Sequence, residues 1–307
     1  MYDKNISLGI SLDLSYSDYE EIFEKYHKNI KEVYSSTSLP IKELHSRYNI
    51  VEETMMPENN EKLIKIIKLA KSYNIKFELA INSRLDLDIN IIEQVYNWCK
   101  ENDIKVDKIV TLSTLIDTCY KYFGDIEYCY SYNNNIKDDS FLENLNPLFS
   151  EIVLGNRNLR NIKLMKKIKD KGLQIKLLLD NGCSHNCFFC STLMAHTCEN
   201  VFDNNVKKYS KEFLMAIQSV FPYEVPMYYE QLGLIDSYKL STRSTDKNYL
   251  VGTLEHYLKV VDIYSKYQLP FTAKLGRIKK LISENDIDLY KVHIIKDKIW
   301  SDALNEK

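Results

Sequence analysis

Short apolar runs recur along this chain, separated by amphipathic helical stretches. That rhythm admits few folds besides a parallel sheet wrapped by helices. The runs are ISLGISL (Ile6–Leu12), EVYSSTSL (Glu32–Leu39), IKFELAIN (Ile75–Asn82) and KIVTLS (Lys108–Ser113), followed by IEYCYSYN (Ile126–Asn133), EIVLGN (Glu151–Asn156), LQIKLLLD (Leu173–Asp180) and LIDSYKLS (Leu234–Ser241). Between them, Ser17–Ile30 and a stretch near Asn90–Glu101 read as helices. In Asn60–Tyr73 the residues Leu63, Ile66, Ile67 and Ala70 share one face, with Asn59 or Asn60 available as the cap. A helix through Leu164, Met165 and Ile168 stops at Gly172, placed as a C-terminal cap. Eight strands with helical intervals predict an α/β chain folded as a (β/α)8 TIM-type barrel.

Two stretches lie outside that rhythm. Residues 191–231 make a long excursion between the seventh and eighth strands, predicting a loop or helical insertion of the kind that commonly carries function. After Leu250 the chain turns helical again through Leu254, Tyr257, Leu258 and Val261. The expected division is a barrel over residues 1–250 and a C-terminal helical extension, 251–307, packed on it.

The balance of 41 basic and 43 acidic residues leaves a net charge of −2, which gives no electrostatic case for nucleic acid. A small-molecule or peptide substrate is the better expectation, with room for a partner subunit. No apolar run approaches the ~20 residues a bilayer span requires, so no membrane is expected. The opening MYDKNISLGISLDLS lacks the basic region and apolar core of a secretory signal, which makes a cytoplasmic location the expectation.

Chemistry concentrates directly after the seventh run, in NGCSHNCFFCSTLMAHTC (Asn181–Cys198). Cys183, Cys187 and Cys190 form C-x3-C-x2-C, and Cys198 follows; thiolates on a tight loop leaving a strand can converge on one soft metal centre. An odd total of seven cysteines argues against a disulfide framework. Structural zinc would accept four thiolates, but zinc sites more often pair two C-x2-C knuckles across a longer spacer. Three thiolates packed this closely suit an iron–sulfur cubane. Cys99, Cys119 and Cys129 read as small buried hydrophobes, a nucleophilic Cys129 being the weaker option.

In a (β/α)8 barrel, chemistry sits at the C-terminal ends of the strands. The polar residues there are Asp13, Asn82, Arg84, Ser113, Asn133, Asn156, Arg157, Lys239 and Arg243. Arg157, Lys239 and Arg243 can hold a carboxylate or phosphate, an arginine bidentately. His185 and His196 flank the cysteines as substitute ligands or proton donors, with an outer supporting place the blander reading. The catalytic candidates are therefore Lys239, Arg157, Arg243, Asn82, Arg84 and His185.

The strand order, the GNRNLRN after the sixth strand, the NGCSHNCFFC after the seventh and IDSYKLSTR at the eighth resemble the U32 peptidase-like superfamily, over roughly Ile6–Arg243. That group includes the paired proteins of oxygen-independent ubiquinone hydroxylation and proteins needed for RNA hydroxylation. The resemblance implies a [4Fe–4S] cluster with Cys183, Cys187, Cys190 and Cys198 at the ligand positions. It also implies redox or hydroxylation-type modification of a biosynthetic intermediate. IDSYKLSTR is similar to the family's Lys-x-x-Gly-Arg segment, carrying over Lys239 and, less closely, Arg243, because Thr242 stands where the glycine belongs. The glutamate-phenylalanine-x-histidine-glycine signature of the named peptidases is absent, so proteolysis is not implied.

C-x3-C-x2-C with Phe189 before the last cysteine also resembles the radical S-adenosylmethionine signature, in which three thiolates leave one iron for the cofactor. Those enzymes carry the motif after their first barrel strand, whereas here only 117 residues follow Cys190. Only Gly233, Gly252 and Gly276 remain downstream, with no Gly-Gly segment to receive the cofactor's amino group. A third reading is a non-catalytic binding subunit in which a metal staples the long loop. There is no H-E-x-x-H, G-x-S-x-G, G-x4-G-K-[ST] or G-x-G-x-x-G.

Overall fold

The computed structural model of the chain describes residues 5–37, 57–82, 88–134, 138–155, 161–178, 232–240 and 247–258, with residues 39, 41, 44, 136, 158 and 229 between them. Eight parallel strands close into a barrel in sequence order. They are β1 (Ile6–Gly9), β2 (Ile30–Ser35), β3 (Lys76–Ile81), β4 (Lys108–Thr111), β5 (Glu127–Tyr130), β6 (Phe149–Leu154), β7 (Gln174–Leu178) and β8 (Ser237–Leu240). Closure is made by β8 pairing back onto β1, with Ile6, Ser7 and Leu8 opposite Tyr238, Lys239 and Leu240. The outer layer holds α1 (Tyr16–Tyr26), α2 (Pro57–Ser72), α3 (Ile89–Glu101), α4 (Ile116–Phe123), α5 (Ile162–Asp170) and α6 (Lys247–Tyr257). Between β5 and β6 the described residues form two short 3-10 turns, Tyr132–Asn134 and Ser140–Glu143, in place of an α-helix.

All eight strands expected from the apolar runs are present, although β1 to β5 stop short of the ends of their runs and β2 and β6 begin two residues before theirs. β2 begins at Ile30 and stops at Ser35, four residues short of the expected Leu39. Its ladder to β3 ends where Ser35 meets Leu79, and the strand stops with the ladder. The first helix starts at the capping box of Ser15 and Asp18 and ends at Tyr26, before the expected Ile30, which is already the first residue of β2. The helix through Ile66 starts at Pro57, so Asn60 is not its cap. Its side-chain carbonyl instead accepts from Trp98 Nε1 at 2.9 Å, tying α2 to α3. Gly172 has the expected role: at φ +76 it takes the left-handed position just after α5 and donates to Lys169 O at 2.8 Å.

The core lies between strands and helices, where Leu8, Val33, Phe77, Ile109, Ile152 and Leu177 face Phe23, Ile66, Val95, Met165 and their neighbours. α6 closes the helical layer against α1. The buried Glu255 carboxylate accepts from Lys25 Nζ at 2.9 Å and from the Tyr26 hydroxyl, while Lys247 lies 3.2 Å from Asp18. The division drawn at residue 250 falls inside α6, and residues 259–307 are outside the described set. Among the described residues no helix is long and apolar enough to cross a membrane.

Candidate functional site

Period-two alternation sends every second strand residue into the barrel, and here those residues are charged. Glu32 (β2), Glu78 (β3), Lys108 (β4), Glu151 (β6), Lys176 (β7) and Lys239 (β8) are all buried, with Ser7 on β1 and Cys129 on β5 completing the ring. Lys176 is fully enclosed, and its ammonium contacts Glu151 at 2.9 Å and also Glu32 and Glu78. Lys108 reaches Glu151 at 2.9 Å, Glu32 at 3.1 Å and Glu127 at 3.3 Å, the last at the half-exposed N-terminal rim. Lys239 is 2.7 Å from Glu78, and Ser237 Oγ donates to Glu151 at 3.1 Å. Three carboxylates thus face three ammoniums inside the barrel.

Burial alone would neutralise these groups; their partners reverse it. Desolvation pushes the Glu32 and Glu151 carboxyls up, but the Lys176 and Lys108 ammoniums outweigh it and hold both below the ordinary carboxylate range. Desolvation likewise lowers Lys176 and Lys108, and the surrounding carboxylates more than restore them, so both stay charged. Glu78, Cys129 and Glu151 bring potential metal ligands within 4.8 Å of one another. The Lys176 ammonium already contacts both carboxylates and serves as the cation there. Burial, with the Glu151 charge behind it, raises the Cys129 thiol well above its usual value, which removes it as a nucleophile.

One interior step toward the mouth the chemistry changes. Two residues beyond the charged or hydroxyl positions stand Gly9, Tyr34, Ala80, Val110, Val153 and Leu178, which close off the ionic layer. Tyr34 crosses from β2 to β8, its hydroxyl donating to Leu240 O at 2.8 Å and its ring centroid 3.6 Å from Lys239 Nζ. That crossing requires glycine at position 9, where a Cβ would come within 2.8 Å of the Tyr34 hydroxyl. On the other side Tyr132 packs against Ala80, Val110, Cys129 and Val153, and a Cβ on Gly155 would lie 3.4 Å from its ring.

Above this layer lies the C-terminal mouth. Asn82 Nδ2 donates to Ser131 Oγ at 3.0 Å, and Asn133 Nδ2 donates to the Asn82 carbonyl at 2.8 Å. These bonds join the loops after β3 and β5. Ser113 joins through Asn134, whose Oδ1 accepts from its backbone N–H at 2.9 Å. Asn82 and Asn133 therefore meet at the mouth as expected, Ser113 lies on its exposed rim, and Asp13 is exposed beyond β1. Lys239 does not point where the sequence reading placed it. It sits within β8 at an inward position, beneath Tyr34 and bonded to Glu78, so its ammonium serves the barrel interior. Arg84, Asn156, Arg157, Arg243, His185, His196 and the four cysteines Cys183, Cys187, Cys190 and Cys198 lie outside the described residues. Cys99 and Cys119 are buried in the helical layer, their thiols pushed up to about 12 by desolvation.

The ionic layer escaped sequence reasoning, although a signal was present: a Glu or Lys stands at the inward phase of six otherwise apolar runs. Both faces of a parallel barrel strand are buried, so a charge within such a run must be paired inside the barrel.

No protein-family model matches the chain, and no curated protein matches it. Among solved structures it is similar to the U32 peptidase Mk0906, at 12% identity and TM-score 0.47, covering 78% of this chain and 92% of that one. It is also similar to tryptophan synthase subunit alpha from Legionella pneumophila str. Paris, at 10% identity and TM-score 0.41, covering 92% and 93%. An HpcH/HpaI aldolase from Desulfitobacterium hafniense DCB-2 gives 10% identity and TM-score 0.35, covering 67% and 92%. These likenesses are too distant to carry an argument about chemistry. The barrel assignment stands on the strand ladders themselves.

Proposed function

We propose that this barrel holds an iron–sulfur cluster on the chain leaving β7, with Cys183, Cys187, Cys190 and Cys198 as ligands. Its work is redox or hydroxylation-type modification of a small-molecule or peptide intermediate in the cytoplasm, alongside a partner subunit. The observation that carries this is topological. β7 of a closed parallel barrel ends at Leu178, five residues before Cys183, and C-terminal strand ends form the reactive face of such barrels. The donor set fits the group, since four thiolates within sixteen residues match the ligand count of a cubane. The remaining cysteines do not compete: Cys99, Cys119 and Cys129 are separately buried, with thiols raised away from the thiolate form. When bound, the cluster supplies one-electron exchange. Around it, Asn82 and Asn133 orient substrate through their amides, and Arg84, Arg157 and Arg243 are the candidates to hold an anionic group.

The test is iron, zinc and acid-labile sulfide analysis of anaerobically purified protein. Iron and sulfide in equal amounts are expected, with Cys→Ala at any of the four positions removing most of the colour. Stoichiometric zinc without sulfide would overturn the proposal.

A further inference from the structure

Two details of the barrel recur four strands apart. Of its eight ladders, only β1–β2 and β5–β6 carry a register shift, and it falls at the same step in both. Ile6 faces Ile30 and Ser7 faces Glu32; Tyr128 faces Phe149 and Cys129 faces Glu151. Each shift skips one exposed residue, Lys31 or Ser150, and sets a small inward group beside a buried glutamate. The second detail is a latch at the N-terminal rim. Asp107, just before β4, accepts from the Phe77 N–H of β3 at 2.7 Å and from Lys71 of α2. Asp236, just before β8, accepts from the Ile175 N–H of β7 at 2.7 Å and from Lys169 of α5 at 2.8 Å. No other strand of the barrel is preceded by an aspartate. Strand lengths follow the same period: four, six, six and four residues in β1 to β4, then four, six, five and four in β5 to β8. Closure requires neither device, since the remaining ladders close without them.

We infer that this barrel is two equivalent (β/α)4 half-barrels, residues 5–124 and 125–258, whose inner faces are made to fit each other across the ionic layer. Both latches and both shifted ladders close within a half, whereas the buried charges reach between halves. Glu32 and Glu151 are counterparts, and each meets the same two ammoniums, Lys108 of the first half and Lys176 of the second. Among the described residues Glu78 of the first half pairs only with lysines of the second, Lys176 and Lys239. Inside the barrel the first half buries two carboxylates and one ammonium, the second one carboxylate and two ammoniums. Two copies of either half would leave like charges in excess in a closed interior, so each half selects the other over itself. The halves have diverged around this frame: Glu78 stands where the second half has Lys176, and 3-10 turns follow β5 where α1 follows β1.

The experiment is a cut in the folded full chain. A protease site is inserted after Gly124, in the turn from α4 to β5, or after Gly172, in the turn from α5 to β7. The sites are matched: both glycines follow a helix at positive φ, +69 and +76, with no atom within 4 Å of an added Cβ. The first cut separates the halves and leaves each latch whole. The second divides the Asp236 latch, parting Lys169 from Asp236 and Ile175. Each cleaved protein is unfolded in urea and refolded by dilution. The Gly124-cut protein should regain the elution volume and near-ultraviolet dichroism of the uncut chain in at least about fivefold higher yield than the Gly172-cut protein, because each of its fragments holds one cooperative unit. Its fragments, mixed in unequal amounts, should pair one to one.

Equal yields, better recovery after the Gly172 cut, or self-association of either half in preference to pairing would overturn the inference. If the site after Gly124 prevents the uncut chain from folding, hydrogen exchange on the unaltered protein decides. The amides of β1 to β4 should then open as one unit and those of β5 to β8 as another. Units that cross the β4–β5 boundary, or a single opening of all eight strands, would refute it.

Discussion

Replacing Lys176 by Met is the most direct challenge to the ionic interior. Methionine preserves the length and apolar body of the side chain, so the change removes the ammonium while creating little cavity. It leaves Glu32, Glu78 and Glu151 facing only Lys108 and Lys239, with one negative charge uncompensated in a site closed to water. Breaking a buried pair by removing one partner costs about 3–5 kcal/mol, a large share of the ~5–15 kcal/mol that holds a domain folded. The comparison is Lys76→Met, which removes a Lys76–Glu127 pair about half exposed on each side. Exposed pairs contribute about 0–1 kcal/mol.

Urea denaturation at neutral pH should separate the two variants by at least about 2 kcal/mol, the gap between those ranges. The pH dependence gives a second, sign-specific check. In the wild type, Glu32 and Glu151 lie below their unfolded values, so their stabilisation is present above the unfolded carboxylate value near ~4.3 and is lost as pH falls toward the folded values. Lys176 and Lys108 are raised, so their share is present below the unfolded lysine value near ~10.4 and is lost only as pH rises through the folded values. In Lys176→Met one buried carboxyl becomes easier to protonate than in the unfolded chain. The deficit against wild type should therefore shrink as pH falls from neutral toward about 5, once that carboxyl gains its proton. A deficit below about 1 kcal/mol, equal to that of the exposed pair, would refute the reasoning, as would a deficit that does not change with pH.

Two further outcomes bear on the mouth and its floor. Reduced protein should release no 5′-deoxyadenosine from S-adenosylmethionine, and Cys198→Ala should damage the cluster as badly as Cys190→Ala; cofactor cleavage with a fully loaded Cys198→Ala would promote the radical reading. Gly9→Ala should destabilise by about 1–3 kcal/mol through overpacking, since its Cβ would fall 2.8 Å from the Tyr34 hydroxyl; thermal unfolding of Gly9→Ala against Gly9→Ala/Tyr34→Leu checks that the clash is with Tyr34, the double variant recovering part of the loss.

The eight strands were legible because parallel barrel strands are buried on both sides and read as apolar runs. Their ends were not, because a strand stops where its neighbour's ladder stops: Ser35 ends β2 against Leu79, whatever the composition of the residues that follow. Asn60 shows the same limit, as a plausible cap that tertiary packing assigned to Trp98 instead. The four cysteines lie outside the described residues, so their reading as a ligand set stands on residue type and spacing alone. Lys239 was found as a residue and misread as to direction. Standing near the end of β8 it looked like a mouth residue, and only its contacts, with the Glu78 carboxylate at 2.7 Å and the Tyr34 ring centroid at 3.6 Å, show that it points into the barrel.

That layering divides the labour within the molecule. The interior holds six charged groups in mutual balance, and an apolar layer of Tyr34, Ala80, Val110, Val153 and Leu178 stands between them and the mouth. A proton passing from Lys176 or Lys108 to a neighbouring carboxylate would have to leave a raised lysine for a lowered acid, so these pairs resist relay and act as fixed charges. The interior therefore governs stability and the seating of β7 and β8, while protons and anion contacts for chemistry at the mouth have to come from the segments beyond the strand ends. Among the described residues those segments offer the amides of Asn82 and Asn133, the Ser113 hydroxyl and the exposed Asp13 carboxylate. The amides and the hydroxyl can orient a substrate by hydrogen bonding without carrying charge. Activity should accordingly follow the ionisation of groups on the loops, and stability that of the barrel, so the two pH profiles of this protein should not coincide.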